Sequence, residues 1–357
     1  AEGIYTKTLG IARWSATFGP LFEVIPAAGT VLILWLGGVR VVDGVITIGE
    51  FIAFLQYLAV LVLPIRITGW FFANLPRGTA AGTRVEDFLA EDVAIDDPQD
   101  PVVLSPGPGE VRFEGVCFAY PNGEPVLNGI DLTIPGGSSV ALVGVTGSGK
   151  TTLAHLIPRF HDVGLGAITL DGVDIRSLAL EQLRQEVAVV FQETFLFSAS
   201  VRANIGVGDP NAGDEQVRAA ARLAQAHGFI CELPEAHDTI VGERGHSLSG
   251  GQRQRVALAR AVVRDPRVLI LDDATSSVDA VVEAEIQAAL RHVMEGRTTI
   301  IVAHRTSTLA LADHVVFLED GAIAAVGTHD ELMATVPRYG AVLASTNPAG
   351  GVRGAPQ

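Results

Sequence analysis

The segment GVTGSGKTT, Gly144 to Thr152, combines residue types that can bind the phosphate groups of a nucleotide. It fits the pattern G-x-x-x-x-G-K-[ST], follows the apolar segment SVALVG and precedes TTLAHLIPRF, which favours a helix. Glycines let backbone N–H groups curl around phosphate oxygens, and the N-terminus of the helix adds partial positive charge. Lys150 would reach the β- and γ-phosphates, and the Thr151 hydroxyl would hold Mg²⁺.

Charged or polar side chains also stand where apolar runs end. Asp272 and Asp273 end the run VLILDD, and His304 ends the run TTIIVAH. Asp272 is expected on the Mg²⁺ side of the site, while Asp273 suits a base that orients the attacking water. His304 could contact a γ-phosphate, and the other histidines are expected to be surface or packing residues.

The segment SLSGGQRQRVALARA, Ser247 to Ala261, predicts a second site for phosphate. Two glycines lead into a helix with Gln and Arg on one face, so the helix N-terminus can receive an anion. Because the chain already has one phosphate loop, we expect two such domains to face each other. Nucleotide would then lie between the loop of one domain and this helix of the other.

Four apolar runs are expected to position these residues. SVALVG, VAVVFQ, VLILDD and TTIIVAH are typical of strands buried on both faces, and helix-like stretches lie between them. This pattern predicts an α/β domain with a mainly parallel sheet. The polar residues stand at the carboxyl ends of the strands, where such sheets bind ligands.

The first quarter of the chain predicts a membrane hairpin. Residues 18–39 and 51–75 are long apolar stretches that contain one charged residue each, Glu23 and Arg66. Each is long enough for a helix that crosses the hydrocarbon core, and Arg40 to Glu50 would turn between them. Glu23 and Arg66 could line a substrate path or make a structural polar contact.

Positive residues flank both ends of the predicted hairpin. Lys7 and Arg13 precede it, while Arg77 and Arg84 follow it. The positive-inside bias therefore places both ends in the cytoplasm.

Composition restricts the class of protein further. The chain has a formal net charge of −15 and no basic cluster, so a nucleic-acid partner is not expected. Cys117 and Cys231 are far apart and indicate neither a metal site nor a disulfide framework. The predicted organisation is part of a transmembrane domain at 1–88, a linker at 89–110, a nucleotide-binding domain at 111–346 and a disordered tail at 347–357. The chain is expected to be a piece of a longer protein.

The P-loop, LSGGQ and LILDD, in this order and spacing, resemble the nucleotide-binding domain of an ABC transporter over nearly all of residues 111–346. The hairpin resembles the last two of the six membrane helices of an exporter-type half-transporter. The resemblance implies a P-loop α/β domain after an all-α transmembrane hairpin, with ATP and Mg²⁺ as cofactors. It implies a location in the cytoplasmic membrane, with the nucleotide-binding domain in the cytoplasm.

The resemblance also implies roles for individual residues. Tyr120 in CFAYP would stack on adenine, Gln192 would sense Mg²⁺ and the membrane domain, and Glu243 would touch the membrane domains. The implied nucleotide contacts are Tyr120, Gly144, Thr146, Gly147, Ser148, Gly149, Lys150, Thr151, Thr152, Ser249, Gly250, Gly251, Gln252 and Asp279. The implied metal ligands are Thr151, Gln192 and Asp272, and the implied catalytic residues are Asp273, His304 and Gln192.

One position departs from the family pattern. The family has Glu after the Asp272 position, whereas this chain has Asp273, whose carboxylate is one methylene shorter. A misplacement of about 1 Å can cost about 10²-fold in rate, so nucleotide should bind here without brisk hydrolysis. In exporters similar to this pattern, such a slow site often belongs to a heterodimer, whose partner supplies Glu and uses the intact LSGGQ. The retained His304 indicates that the impairment is partial.

Other functions remain open. The chain could form a homodimeric exporter with Asp273 as the base, or a mainly regulatory nucleotide-binding subunit. A soluble ABC ATPase that acts on DNA or ribosomes is disfavoured by the hairpin and the acidic charge. We expect a second half-transporter and membrane lipid as partners, and the sequence leaves the transported substrate undetermined.

Overall fold

The structure is a computed structural model that describes most of the chain in two compact units, Ala1–Val93 and Ala94–Gln357. The described residues are 9, 13, 16, 21–91, 93–121, 123–242, 245, 247–273, 280–303 and 306–346. The predicted tail at 347–357 lies outside them.

Residues 21–89 of the first unit form a helical hairpin. Helix α1 spans Leu21–Val42 and helix α2 spans Ile48–Leu89. The N-terminus of α2 is fixed by a capping box, in which Thr47 Oγ1 accepts a hydrogen bond from the Glu50 backbone N–H at 3.2 Å. A side chain at Gly37 would place its Cβ 2.6 Å from the Phe51 ring, so this glycine allows the close approach of the two helices.

The helices differ from the predicted spans at 18–39 and 51–75. Helix α2 continues well past Leu75, because a helix ends where its backbone bonding ends and not where its apolar residues end. Among the described residues, one stretch, Val24–Val42, is apolar and long enough to cross a membrane, with a mean hydropathy of 1.8. The apolar part of α2, Ile48–Pro64, is shorter. The predicted second span includes Arg66, and the structure does not describe the side chain of Arg66.

The second unit is built on a six-stranded sheet. Its strands are β3 (Ser139–Val143), β6 (Val187–Val190), β7 (Val268–Asp272), β8 (Thr298–Val302), β9 (His314–Glu319) and β10 (Ala322–Gly327). The order is β10-β9-β3-β8-β7-β6, and every pairing is parallel except that of β9 with β10. The four predicted apolar strands are therefore the neighbours β3, β8, β7 and β6. Their carboxyl ends meet at one edge of the sheet.

A second, antiparallel sheet has the order β2-β1-β4-β5 and was missed by the sequence analysis. Its strands are β1 (Val111–Ala119), β2 (Pro125–Ile134), β4 (Leu165–Leu170) and β5 (Val173–Asp174). Strand β1 alternates between buried and exposed positions over much of its length, so it lacks the continuous apolar run that marked the parallel strands.

The second unit also contains the following α-helices among its described residues. They are α3 (Lys150–Leu156), α4 (Leu180–Glu186), α5 (Val201–Gly206), α6 (Asp214–Leu223), α7 (His227–Cys231), α8 (Gly250–Val262), α9 (Ala280–Met294), α10 (Thr306–Leu309), α11 (His329–Thr335) and α12 (Pro337–Thr346).

The core lies on both faces of the six-stranded sheet. Along β3, Ala141 and Val143 pack into one apolar cluster, while Val140 and Leu142 pack into the other. Strands buried on both faces hold their ends rigidly, because any shift would disturb two packed layers at once. The edge that carries the P-loop, Asp272 and Asp273 is therefore a rigid platform.

Candidate nucleotide-binding site

The loop between β3 and α3 has the backbone shape that a phosphate cradle needs. Gly147 and Gly149 have φ values of 87° and 96°, in the left-handed region that favours glycine. A Cβ at Gly144 would lie 2.3 Å from the Leu318 carbonyl oxygen, so only glycine fits there. No side chain caps the N-terminus of α3, which leaves its first N–H groups directed towards the loop.

One buried polar atom of this loop lacks a hydrogen-bond partner that a phosphate could supply. Thr146 and Gly147 are exposed, and Ser148 and Thr152 are buried. The Ser148 hydroxyl oxygen is buried and has no hydrogen-bond partner among the described residues. Since buried polar groups are normally satisfied, this hydroxyl fits a bound phosphate oxygen.

Lys150 is buried within the loop. Its Nζ donates to the carbonyl oxygens of Gly144 at 2.8 Å and Val145 at 2.9 Å. Burial lowers the pKa of the Lys150 amine, and the nearby charge of Asp272 opposes this effect. A nucleotide phosphate would be a stronger partner for this amine than the two carbonyl groups are.

Thr151 and Asp272 come together from different elements. Thr151 is in the first turn of α3, Asp272 is the last residue of β7, and Thr151 Oγ1 donates to Asp272 Oδ1 at 3.2 Å. A hydroxyl and a carboxylate are the oxygen ligands that Mg²⁺ prefers. Among the described residues, no group of three His, Cys, Asp or Glu is arranged to hold a metal by itself. The Thr151 and Asp272 pair fits Mg²⁺ as it is usually bound beside nucleotides, with water and phosphate oxygens among its ligands.

Asp273 and Gln192 also meet. Asp273 follows β7 in a left-handed conformation, with a φ of 47°, and its backbone N–H donates to the Val302 carbonyl oxygen. Gln192 follows β6, and its Nε2 donates to Asp273 Oδ2 at 3.0 Å. Sequence reasoning placed Gln192 near Mg²⁺ and did not predict this contact. In this structure the amide restrains the carboxylate expected to act as the base.

Tyr120 stands beside the loop just after β1. Its ring packs edge-on against Phe118 and His161, with centroids 4.9 Å and 5.2 Å away, and its hydroxyl lies 3.1 Å from Thr152 Oγ1. The residue is 40% exposed, so part of the ring is accessible to the adenine on which it is predicted to stack. Sequence reasoning left His161 among the surface or packing histidines and did not predict its contact with Tyr120, although His161 closely follows the P-loop helix.

The N-terminus of α8 carries the LSGGQ motif and has its own cap. Ser249 Oγ accepts from the Gln252 backbone N–H at 3.3 Å, and Gln252 Oε1 accepts from the Ser249 N–H at 2.9 Å. Gly251 is buried against the domain, while Ser249 is exposed and Gly250 is half-buried. The motif is thus presented at the surface, and its contact with a partner's nucleotide stays a prediction.

Several predicted residues cannot be placed. His304, Asp279 and Glu243 lie outside the described residues, as do the side chains of Glu23 and Arg66.

The models of two protein families match the chain. The family described as "ABC transporter" matches residues 127–276, which include the P-loop, LSGGQ and Asp272. The family described as "ABC transporter transmembrane region" matches residues 2–65. The chain belongs to the ABC transporter family. These matches confirm the resemblance found in the sequence and the fold class that it implied. The ATPase domain of this family binds ATP.

Curated ABC transporters are similar to the chain along most of its length. An uncharacterized ABC transporter ATP-binding protein of Bacillus subtilis is 41% identical over 90% of this chain and 53% of its own length. An ATP-dependent lipid A-core flippase of Desulfotalea psychrophila is 40% identical over 95% of this chain and 59% of its own. A multidrug efflux ATP-binding/permease protein of Mycobacterium bovis is 41% identical over 95% of this chain and 28% of its own. The chain thus spans between about a quarter and three fifths of these relatives.

A solved structure of a bacterial Atm1-family ABC exporter with ATP bound also matches the chain. Its TM-score is 0.71 and its sequence identity is 30%, over 99% of this chain and 61% of that one. The similarity therefore extends over both units of the chain.

Proposed function

We propose that the chain is part of an exporter-type half-transporter that binds ATP with Mg²⁺ and couples ATP turnover to movement of a substrate out of the cytoplasm. The observation that carries the proposal is that Lys150, Thr151 and Asp272 converge on one glycine loop. The relatives named flippase and multidrug efflux protein support export. The flanking Lys and Arg residues support a nucleotide-binding domain in the cytoplasm.

The geometry supports a simple sequence of events at the site. The Lys150 amine would exchange two carbonyl partners for phosphate oxygens, and the Ser148 hydroxyl would gain an acceptor. Thr151 and Asp272 would hold Mg²⁺, which neutralises phosphate charge when it is bound. Asp273 would orient the attacking water and take its proton, while the Gln192 amide restrains its carboxylate.

We further propose that this site is slow and that the chain works in a heterodimer. The Asp273 side chain is one methylene too short for the position that Glu occupies in the family. Its backbone is anchored to Val302, and its carboxylate is held by Gln192, so it has little freedom to advance. The LSGGQ motif is intact and its Ser249 is exposed, so the N-terminus of α8 can complete the competent site of a partner half-transporter.

Replacement of Ser249, which caps α8, tests whether the LSGGQ motif of this chain serves the partner's site. In the transporter assembled in its native membrane, we expect Ser249→Arg to lower total ATP turnover by at least about 10²-fold, the scale of a lost donor to developing charge. The reason is that the arginine would block phosphate from the helix that serves the partner's competent site. The measurement is steady-state phosphate release at saturating ATP.

The chain offers a matched control, because Thr328 caps α11 with the same capping-box geometry. Thr328→Arg should cost a similar stability of about 1 kcal/mol and leave turnover unchanged. Retention of wild-type turnover in Ser249→Arg would contradict the proposal that this helix serves the faster site.

A further inference from the structure

His155 shares a helix face with a predicted metal ligand. It lies on α3 four residues after Thr151, and residues spaced by four stand above one another on a helix. Thr151 Oγ1 lies 3.2 Å from Asp272 Oδ1, and His155 Nε2 lies 3.3 Å from Asp272 Oδ2. Two side chains one helical turn apart therefore each face one oxygen of the same carboxylate.

The imidazole nitrogen that faces Asp272 lacks a hydrogen-bond partner among the described residues. His155 Nε2 is buried, and although Asp272 Oδ2 is within reach, the two groups are not aligned for a hydrogen bond. A buried polar atom without a partner is costly and uncommon in folded proteins. A small rotation of either side chain would give Nε2–H the carboxylate as acceptor, and the neutral imidazole suffices for that bond.

Aromatic packing fixes where the imidazole can point. The His155 ring meets the rings of Phe160 and Phe191 edge-on, each at a centroid distance of 5.6 Å. Phe191 immediately precedes Gln192, whose amide binds Asp273. His155 thus links the P-loop helix, the end of β7 and the segment after β6. The sequence analysis predicted a surface or packing histidine here, and the contact with Asp272 goes beyond that prediction.

We propose that His155 is a positioning residue for the carboxylate of Asp272. It holds Oδ2, so that Oδ1 stays directed towards Thr151 and the Mg²⁺ of a bound nucleotide. Groups that hydrogen-bond a metal ligand fix its orientation, and their loss commonly costs 10- to 100-fold in metal affinity. The inference rests on the proposed function, because it requires that Mg·ATP binds to this loop.

Three variants separate the hydrogen bond from the packing. His155→Phe keeps an aromatic ring against Phe160 and Phe191 but removes the donor, whereas His155→Gln places an amide nitrogen near the position of Nε2. His292→Phe is the matched control, since His292 is on α9 and its Nδ1 lies 2.8 Å from the Ala288 carbonyl oxygen of the same helix. The full chain in lipid nanodiscs would be titrated with Mn²⁺ in the presence of a non-hydrolysable ATP analogue. Binding would be read by electron paramagnetic resonance.

We expect His155→Phe to weaken Mn²⁺ binding by about 10-fold, while His155→Gln and His292→Phe stay within about twofold of the wild type. Binding of a fluorescent ATP analogue in excess EDTA should be the same in all four proteins. Unchanged Mn²⁺ affinity in His155→Phe, or an equal loss in His155→Gln, would overturn the positioning role. A wild type that binds the analogue in neither condition would instead overturn the proposed function, and the inference with it.

Discussion

Asp273→Glu is expected to raise the rate of ATP hydrolysis at the site built on this P-loop by about 10²-fold, equivalent to about 2.7 kcal/mol of activation free energy. The longer side chain would carry its carboxylate forward by about one bond length, to where the water attacks. Because Gln192 holds the present carboxylate from the side of β6, the shorter acid cannot make up this distance by tilting freely.

The measurement is single-turnover hydrolysis by the full chain, reconstituted in nanodiscs without any other half-transporter. In a dimer of two copies of this chain, both nucleotide sites are built on Asp273 or on its replacement. Because Asp273 has a φ of 47°, a region that Asp tolerates better than Glu, we expect the variant to lose about 1 kcal/mol of stability. Thermal unfolding checks this cost. A rate in Asp273→Glu no higher than that of the wild type would show that the shorter acid is already an adequate base.

Lys150→Ala is expected to weaken ATP binding by about 10²-fold, since each hydrogen bond between charged groups contributes about 1.5–3 kcal/mol and the amine would reach two phosphates. The variant also leaves the carbonyl oxygens of Gly144 and Val145 without the donor they have in the structure. The measurement is equilibrium binding of a fluorescent ATP analogue with Mg²⁺ present.

Lys7→Ala is the control for Lys150→Ala. Lys7 is the chain's other lysine, and it lies outside the predicted nucleotide-binding domain. The ATP affinity of Lys7→Ala should equal that of the wild type. If Lys150→Ala bound ATP as tightly as the wild type, the glycine loop would not be the phosphate site.

The parallel sheet and its ligand edge could be predicted because their physical constraints are strict. A strand buried on both faces needs a continuous apolar run, and β3, β6, β7 and β8 each show one. The phosphate loop needs glycine where φ is positive or where no Cβ fits, as at Gly144 and Gly149. Both constraints are visible in single residues or short segments.

Other features depend on contacts between distant segments and could not be predicted. Gln192 and Asp273 lie 81 residues apart in sequence and meet only because β6 and β7 are neighbours. His155 looks like an ordinary helix residue until the end of β7 is placed beside it. The antiparallel sheet has no continuous apolar signal, and the extension of α2 beyond Leu75 has no apolar signal of its own.

The most direct test of the asymmetric site is steady-state ATPase activity of Asp273→Asn in the transporter assembled in its native membrane. If a partner half-transporter supplies the competent site, turnover should stay within about twofold of the wild type, because the group removed contributes little to the total rate. If the wild type is fast and Asp273→Asn abolishes turnover, Asp273 is the working base, and the proposal of a slow site in a heterodimer is wrong.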